Sequence, residues 1–353
     1  MTTPRPTPYL ELDVDRLDAN VARGAAWAAA RGVALRPHAK THKSVKIARR
    51  QLAAGAVGLT VATVAEAEAF AAGGVDDLFV AYPLHLDDDR ARRVRDLAGR
   101  ARLAIGVDTV EGAALAARLL AGSGVEVVVE VDSGLQRSGC PPEQAGRVAD
   151  AAGPLAVRGV FTFPGHAYGP GNAEGAARDE AVALSAARDA LAAAGHGGGV
   201  VSGGCTPSFA HSDTGVATEL RPGVYVHGDA QQTELGHCSL DDVALTAVGT
   251  VVHLHEGTVI VDAGAKVIGP DRPTWASGHG RVLSEPYARI VGLWEHHAKI
   301  AWPAPSPRPS VGSRLRVVPN HVCTAVNLSP EMTVVSGGEV VDTWPVDARG
   351  ANT

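Results

Sequence analysis

The chain has 353 residues, of which 45% are hydrophobic and 20% are charged. This is the composition of a globular protein, and it excludes a disordered chain or a fibrous repeat. The 32 Lys and Arg residues against 38 Asp and Glu give a net charge of -6. We therefore expect no general attraction for nucleic acid or for an anionic membrane surface.

Cysteine usage and hydropathy indicate the compartment. The chain has four cysteines with no CxxC pair, namely Cys140, Cys205, Cys238 and Cys323. This spacing does not suggest a disulfide framework and favours a reducing environment. Residues 1–10 carry no apolar segment typical of a signal peptide, and no stretch approaches the ~20 apolar residues of a membrane helix. The expectation is a cytoplasmic protein with no membrane partner.

Strand and helix patterns alternate between residues 30 and 226. Short apolar, β-branched runs predict eight strands, at Val33–Pro37, Leu59–Thr63, Leu78–Ala81, Leu103–Val107, Val125–Val131, Val157–Phe163, Gly199–Ser202 and Leu220–Val226. Longer segments rich in Ala, Arg and Glu predict helices between most of them, at 43–54, 64–72, 87–100, 109–121, 141–152 and 174–194. Eight continuous apolar strands separated by helices favour a (β/α)₈ barrel over an open sheet.

The pattern changes beyond residue 240. Runs such as Ala244–Leu254 and Arg314–Val318 are β-rich and separated by Gly and Pro, which predicts a mostly β domain. The strand-like segment Tyr9–Leu12 precedes the barrel, and we expect it to pair with this domain. The predicted boundaries are 13–235 for the barrel, and 1–12 with 236–353 for the β domain.

A barrel active site lies at the carboxyl ends of its strands. Lys40 follows the first predicted strand and is flanked by His38 and His42. A lysine in this position is typical of a nucleophilic amine whose pKa is lowered by partial burial and nearby positive charge. Position alone leaves open a solvated lysine at the barrel rim.

Glycines border the predicted mouth at strands seven and eight. Ser202-Gly203-Gly204 follows one strand and Gly223 and Tyr225 lie near the other. Barrels often bind a phosphate at this place through backbone N–H groups, and glycine lets the backbone approach an anion closely. An ordinary turn is the alternative for a Gly-Gly pair.

A third signal lies in the β domain. His321 and Cys323 follow the β run Leu315–Val318, and on an extended strand both side chains point to one face. Imidazole nitrogen and thiolate sulfur favour zinc. Two ligands are too few for a structural site, so solvent or substrate must complete the shell. A core cysteine beside a capping histidine is the alternative.

Several motifs together resemble one enzyme family. They include the run Arg36-Pro37-His38-Ala39-Lys40-Thr41-His42-Lys43, Asp132-Ser133-Gly134, Val201-Ser202-Gly203-Gly204 and Pro319-Asn320-His321-Val322-Cys323. In order along nearly the whole chain, they resemble the D-threonine aldolase and D-serine dehydratase family of alanine racemase-like pyridoxal-phosphate enzymes. The resemblance implies an N-terminal (β/α)₈ barrel of the alanine racemase kind that holds the cofactor, with a C-terminal β domain.

The resemblance also implies roles for matched positions. Lys40 would bind pyridoxal 5'-phosphate covalently, and Arg137 would lie near the ring hydroxyl of the cofactor. Residues around the phosphate would be Ser202, Gly203, Gly204, Gly223 and Tyr225. His166 and Tyr168 would flank the cofactor. His321 and Cys323 would bind a divalent metal, zinc or manganese, next to the substrate β-hydroxyl.

The implied substrates are D-β-hydroxy-α-amino acids. Family aldolases often have a carboxylate as the second metal ligand and dehydratases a cysteine, so Cys323 tilts toward dehydration, whereas segments such as 54–60 look more like the aldolase branch. We expect retro-aldol cleavage to glycine and an aldehyde, with D-serine dehydration to pyruvate and ammonia as the alternative. An amino-acid racemase and a non-catalytic cofactor carrier stay open. The resemblance further implies a homodimer.

Overall fold

The structure is a computed structural model that describes residues 5–353. It divides the chain into two compact units. The first unit comprises residues up to Ala22, Thr41–Lys46 and Val224–Gly350, and the second comprises Arg23–Lys40, Ile47–Gly223 and Ala351–Thr353. The domain boundaries given above stay a prediction, because a compact unit can take segments from several parts of the chain.

The strands and helices of the described chain are numbered in chain order. The strands are β1 Tyr9–Asp13, β2 Ala34–Leu35, β3 Leu59–Val61, β4 Asp77–Pro83, β5 Arg102–Val107, β6 Glu126–Glu130, β7 Ala156–Phe161, β8 Val200–Gly203, β9 Glu219–Leu220, β10 Leu245–His255, β11 Thr258–Val261, β12 Gly280–Val282, β13 Glu285–Leu293, β14 Ala298–Ala301, β15 Arg314–Pro319, β16 Glu331–Ser336 and β17 Glu339–Pro345. The helices are α1 Val14–Ala29, α2 Val45–Ala53, α3 Val64–Ala72, α4 Asp88–Ala98, α5 Val110–Leu120, α6 Ala145–Ala151, α7 Ala173–Ala193, α8 Ala230–Glu234, α9 Ala265–Ile268 and α10 Val322–Leu328.

The second unit contains an eight-stranded parallel sheet. Its order is β2-β9-β8-β7-β6-β5-β4-β3, and each neighbouring pair is parallel. A parallel bridge between His38 and Thr60 joins the two ends of this order. The sheet therefore closes on itself, which confirms the predicted barrel, and each predicted strand overlaps an observed one.

Local capping explains where the barrel helices begin. Thr63 Oγ1 accepts a hydrogen bond from the Glu66 N–H at 3.0 Å, which caps α3. Asp87 caps α4 in the same way, and Thr109 caps α5. These short polar side chains satisfy N–H groups that a helix leaves unpaired in its first turn. Each of these helices thus begins shortly after a strand, at the carboxyl-end side of the barrel.

The barrel interior contains a hydrophobic layer and a buried ion-pair network. Phe79 and Phe161 pack edge to face, with ring centroids 4.9 Å apart, against Ala104 and Val128. Toward the amino ends of the strands, the Arg36 guanidinium lies 2.7 Å from both Glu219 and Asp77. A buried charge is tolerated only when it is paired and hydrogen-bonded. Arg36 therefore ties β9 to β4 beneath the hydrophobic layer.

The first unit contains a nine-stranded sheet in the order β11-β14-β13-β12-β15-β10-β1-β16-β17. An additional antiparallel pairing of β10 with β11 closes six of these strands into a ring. The β1 strand pairs with β10 and β16, so the expected pairing of Tyr9–Leu12 with the C-terminal strands is confirmed. The mostly β character of this region is confirmed as well.

Two features differ from the sequence predictions. The α1 helix was not anticipated, although Leu17, Val21 and Ala28 are buried on it at helical spacing. The eighth barrel strand was predicted as Leu220–Val226 but ends at Leu220. Pro222 cannot donate to a ladder, and residues 224–226 form a 3₁₀ turn instead. Within residues 5–353, no helix has both the length and the apolar character needed to cross a membrane.

Candidate active site

A cavity of about 530 Å³ opens in the second unit. It is lined by His38, Lys40, Ala62, Thr63, Ala81, Tyr82, Pro83, Asp108, Arg137, Ser138, Phe163, Gly204 and Arg221. These residues follow the carboxyl ends of the barrel strands or form the last positions of one. The cavity therefore lies where a barrel of this kind has its active site.

Lys40 is one of the lining residues. It lies in the 3₁₀ turn Ala39–Thr41 just after β2, and it is half-buried. Its Nζ is 5.7 Å from the centroid of the Phe163 ring, within range of a cation–π contact. Of the two alternatives left open by the sequence, the cavity-facing lysine fits this position better than a solvated rim lysine.

Arg137 faces the same aromatic ring. Its Cζ is 5.1 Å from the Phe163 centroid. The loop that carries Arg137 is fixed by Asp132, whose Oδ1 accepts hydrogen bonds from the N–H groups of Gly134 and Gln136, each at 3.0 Å. An aspartate that binds backbone N–H groups two and four residues on is a typical loop-stabilising turn. Lys40 and Arg137 thus bring two basic side chains to the cavity, both within 6 Å of the Phe163 ring centroid.

Arg221 is a cavity residue that the sequence reasoning missed. Its Nη1 donates to Ser202 Oγ at 2.6 Å and its Nη2 donates to the Thr162 carbonyl at 2.5 Å. Burial lowers the pKa of Arg221, and the charges of Glu219, Glu180 and Glu130 oppose this shift. Arg221 was assigned to the second position of the predicted eighth strand, Leu220–Val226. The Pro222-Gly223 pair that follows it could have indicated that the strand ends earlier.

The Ser202-Gly203-Gly204 segment is held by internal hydrogen bonds. The Ser202 hydroxyl donates to Glu219 Oε1 at 2.7 Å and accepts from Arg221. The Gly204 N–H donates to Glu180 Oε1, and Gly204 has a φ of +80°, a conformation that favours glycine. Of the three residues, Gly204 alone lines the cavity. Its N–H group and the Ser202 hydroxyl have protein partners, and the expected place of this segment beside the cofactor phosphate stays a prediction.

The other predicted cofactor residues do not line this cavity. His166 lies in the 3₁₀ turn Gly165–Tyr168, with its Nε2 3.2 Å from Asp179 Oδ2. The Tyr168 ring centroid is 6.4 Å from that of Phe163, so it supports a cavity residue from behind. Gly223 is the last residue of the segment Ile47–Gly223 of the second unit. Tyr225 belongs to the first unit.

A buried carboxyl lies beside the lining residues Ser138 and Asp108. Glu130, at the end of β6, accepts a hydrogen bond from Ser138 Oγ at 3.1 Å, and its Oε2 is buried without a partner. Burial raises the pKa of Glu130 to about 7 despite this hydrogen bond. Asp108 accepts from the Gly139 N–H at 3.1 Å. Asp108 was also missed, although its place directly after the fourth predicted strand could have identified it.

His321 and Cys323 lie in the first unit, and their predicted extended geometry is wrong. The β15 strand ends at Pro319, and α10 begins at Val322 with His321 as its N-cap residue. Asp229 Oδ2 accepts a hydrogen bond from the Val322 N–H at 3.2 Å, which favours the helix start at this position. Cys323 therefore lies in the first helical turn, and its Sγ donates to Thr41 Oγ1 at 3.4 Å.

The chemistry of this pair fits a metal, although its donor set is small. In residues 5–353 no group of three or more His, Cys, Asp or Glu side chains has a metal-binding arrangement. His321 Nδ1 lies 3.3 Å from Asp229 Oδ2, outside hydrogen-bond geometry. Burial lowers the pKa of His321, but Cys323 and Asp229 outweigh it and leave the pKa well above its usual value. A carboxylate behind one ring nitrogen is the usual support of a metal-binding histidine.

Comparisons with known proteins extend over both units. The family model described as alanine racemase, N-terminal domain, matches residues 12–231, and the one described as putative serine dehydratase domain matches residues 244–335. D-threo-3-hydroxyaspartate dehydratase of Delftia sp. is 34% identical over 96% of both chains. D-threonine aldolase of an Arthrobacter species is 33% identical over 98% of this chain and 93% of its own.

Solved structures show the same similarity. The crystal structure of D-threonine aldolase from Filomicrobium marinum has a TM-score of 0.89 and 29% identity, covering 99% of this chain and 97% of its own. Two structures of D-threo-3-hydroxyaspartate dehydratase carry alanine in place of a histidine and of a cysteine two positions further on, the latter in the metal-free form. His321 and Cys323 have the same spacing.

Proposed function

Because the chain belongs to the family described as alanine racemase, N-terminal domain, we propose that it is a pyridoxal-phosphate-dependent lyase acting on D-β-hydroxy-α-amino acids. The proposed reaction is retro-aldol cleavage to glycine and an aldehyde. The observation that carries the proposal is the cavity itself, in which Lys40, Arg137 and Arg221 line one space at the strand ends. Full-length similarity to D-threonine aldolase supports the choice of reaction.

The residues present fit pyridoxal phosphate. A cavity of about 530 Å³ lies within the range of small-molecule sites. Lys40 offers a primary amine, Arg137 and Arg221 offer positive charge, and Phe163 offers an aromatic face. When bound, this cofactor supplies an electron sink for bond cleavage at the substrate α-carbon. The amine can bind the cofactor aldehyde, the positive charges can pair with its phosphate, and the aromatic face can pack on its ring.

Each side chain has a role that follows from its chemistry. Lys40 Nζ would hold the cofactor, and its amine is the group that can hold or return a proton in the cavity. Arg137 and Arg221 stay positively charged and orient anionic groups. Tyr82, Pro83 and the Phe163 ring give the cavity an apolar wall that excludes water. We assign the remaining resemblance-based positions, including His166, Tyr168, Gly223 and Tyr225, to supporting segments around the cofactor.

We further propose that His321 and Cys323 hold a divalent metal, zinc or manganese. A metal of this kind lowers the pKa of a bound hydroxyl group, which prepares a β-hydroxy amino acid for cleavage. Asp229 Oδ2 lies 3.3 Å from His321 Nδ1 and would support His321 as a metal ligand from that side of the ring. The dehydratase has solved structures of variants at a histidine and at a cysteine two positions further on, and this matching spacing supports the choice of His321 and Cys323.

A second candidate reaction is dehydration. Cys323 and the 34% identity with D-threo-3-hydroxyaspartate dehydratase favour it. The same residues serve this reaction, since a metal can also help the β-hydroxyl leave after α-proton removal. We propose a cytoplasmic homodimer for either reaction. Light scattering on the active protein tests the dimer, and a stable active monomer would rule it out.

The deciding experiment supplies the purified protein with pyridoxal phosphate and either zinc or manganese. D-threonine, D-serine and D-threo-3-hydroxyaspartate are added separately, and glycine, aldehydes, keto acids and ammonia are assayed. Glycine with acetaldehyde from D-threonine supports the aldolase. A keto acid with ammonia from D-serine or D-threo-3-hydroxyaspartate replaces it with the dehydratase. Metal-independent interconversion of amino-acid enantiomers would contradict both and favour a racemase.

A further inference from the structure

Glu180 is a buried carboxyl that the proposed reaction does not use. It lies on α7 and is 2% exposed. Its Oε1 accepts the hydrogen bond of the Gly204 N–H. A side chain at Gly203 would overlap the same oxygen, because a Cβ there would meet Glu180 Oε1 before any other atom. Glu180 therefore touches both glycines of the segment that follows β8.

The glycine segment separates Glu180 from the cavity. Gly204 lines the cavity, and its N–H is turned to Glu180. The Arg221 N–H donates to the Gly203 carbonyl at 2.8 Å, which fixes the other side of this backbone. A change in the Glu180 carboxyl is thus transmitted to the cavity wall through one backbone segment.

The surroundings of Glu180 favour a neutral carboxyl. Within the described chain Glu180 forms no ion pair, and its titratable neighbours are Arg221 and the Cys205 thiol. The Arg221 guanidinium is engaged by Ser202 and Thr162. Burial raises the pKa of Glu180 to about 7, opposed by the Gly204 N–H and by Arg221. A buried carboxylate without a paired cation is costly, so its protonation state responds to nearby charge.

Apart from desolvation, the groups that shift the pKa of Glu180 are the Gly204 N–H and Arg221. His166, in the turn that packs on this helix, pairs with Asp179 on the exposed side of α7. His196, beyond the end of α7, pairs with Asp150 at the end of α6. Neither pair is coupled to Glu180. A negative charge that arrives in the cavity is therefore opposed mainly by Arg221 and felt directly by Glu180.

Resting on the proposed function, we propose that Glu180 is a positioning residue of the cofactor site, which holds the Gly203–Gly204 backbone from behind and takes up a proton when the cofactor phosphate binds on the cavity side. The reason is electrostatic, since a phosphate across one backbone segment makes a second negative charge less favourable. By linkage, a proton that is taken up on binding makes affinity fall as the pH rises.

The test measures proton uptake on cofactor binding. Pyridoxal phosphate is titrated calorimetrically into the apoprotein at about pH 7, where a carboxyl of raised pKa is partly ionised, in two buffers of different ionisation enthalpy. Glu180→Gln keeps an oxygen that accepts the Gly204 N–H but cannot titrate. Glu174→Gln, an exposed carboxyl on the same helix, is the matched control. We expect about half a proton more uptake in wild type and Glu174→Gln than in Glu180→Gln.

A second pair of variants tests the positioning role. Glu180→Ala leaves the buried Gly204 N–H without its acceptor, so the cofactor dissociation constant rises about tenfold, whereas Glu180→Gln stays within about twofold of wild type. If Glu180→Ala does not fold, proton uptake in Glu180→Gln still decides the proposal.

The outcomes separate the two proposals. Equal proton uptake in wild type and Glu180→Gln, with cofactor binding intact, overturns the role of Glu180 and leaves the proposed function standing. Cofactor binding is monitored by the visible absorbance of the bound cofactor. If the wild type shows no binding, both proposals are overturned.

Discussion

The two candidate centres differ in how much of each is assembled by the fold. In the second unit, the ends of parallel strands bring Lys40, Arg137 and Arg221 around one cavity. In the first unit, His321 and Cys323 are two donors at the start of a short helix, with Asp229 behind one of them. A closed barrel gathers residues from eight strand ends, whereas a helix start offers one or two side chains. The barrel therefore assembles a lined cavity from distant residues, whereas the helix start supplies only two donor side chains of a site.

Replacement of Lys40 tests the lined cavity of the second unit and has the largest expected effect. We expect Lys40→Ala to lower kcat by about 10³-fold or more, because no other amine replaces its nucleophilic and proton-transfer roles. Loss of the visible absorbance of bound cofactor, with retained folding by circular dichroism, is the second measurement. Lys266→Ala removes an exposed lysine paired with Glu295 and is the control. Equal activity in the two variants would contradict the role of Lys40.

The buried ion network beneath the cavity is the next target. Arg36→Met leaves the buried Glu219 carboxylate without its cation, which we expect to lower the free energy of unfolding by about 3–5 kcal/mol. Asp77 also loses Arg36 but keeps Arg158 at 3.3 Å. Arg178→Ala removes an exposed partner of Glu174 and should cost about 0–1 kcal/mol. Urea unfolding of both variants checks this difference, and a similar loss in both would contradict the larger contribution of the buried pair.

The pH dependence of stability tests Glu130. The folded protein keeps a proton on Glu130 up to about pH 7, whereas the unfolded chain releases it at the ordinary pKa of 4.5. The folded state therefore binds more protons in this window, and stability falls as the pH rises through it. Relative to Glu130→Gln, we expect wild type to lose about 2.5 kcal/mol of unfolding free energy between about pH 5 and about pH 8.

A matched carboxyl serves as the control for Glu130. Glu143→Gln changes an exposed carboxyl on a nearby 3₁₀ turn and should leave the wild-type pH dependence unchanged. Parallel curves for wild type and Glu130→Gln would show that Glu130 is ionised in the folded protein.

Replacement of Cys323 tests the partial site in the first unit. Cys323→Ser keeps a small polar group but removes the thiolate, so we expect metal affinity to fall about 100-fold, and activity with it. Cys238→Ser changes another free cysteine of the same unit and is the control. Metal content after dialysis and activity against added zinc are the measurements. Activity that survives both the substitution and chelation would remove the metal from the mechanism.

The sequence anticipated the barrel because its signals are local. Each strand is a short apolar run, each helix begins at a capping residue such as Thr63 or Asp87, and the strand-end rule then locates Lys40 and Arg137. The rule failed at the eighth strand, whose end was misjudged so that Arg221 lay inside it. Asp108 follows a fourth strand whose end at Val107 was predicted correctly, and it was overlooked.

Other features depended on distant residues. The helix start at Val322 is favoured by Asp229, which lies 93 positions earlier in the chain. The internal partners of Ser202, Gly203 and Gly204 come from Glu219, Arg221 and Glu180. Spacing along the chain does not contain these contacts, so it could predict neither the helix start at Val322 nor the internal partners of the glycine segment.

The sequence by itself determined the alternation of strands and helices, the change to β structure beyond residue 240 and the family motifs around Lys40. These follow from hydrophobic periodicity and local capping, which act over a few residues. Only the tertiary structure decided which strand ends share a cavity, which carboxyls are buried there and where α10 begins. Burial and hydrogen bonding between distant segments fix those features, because the free energy of a polar group depends on what surrounds it in space.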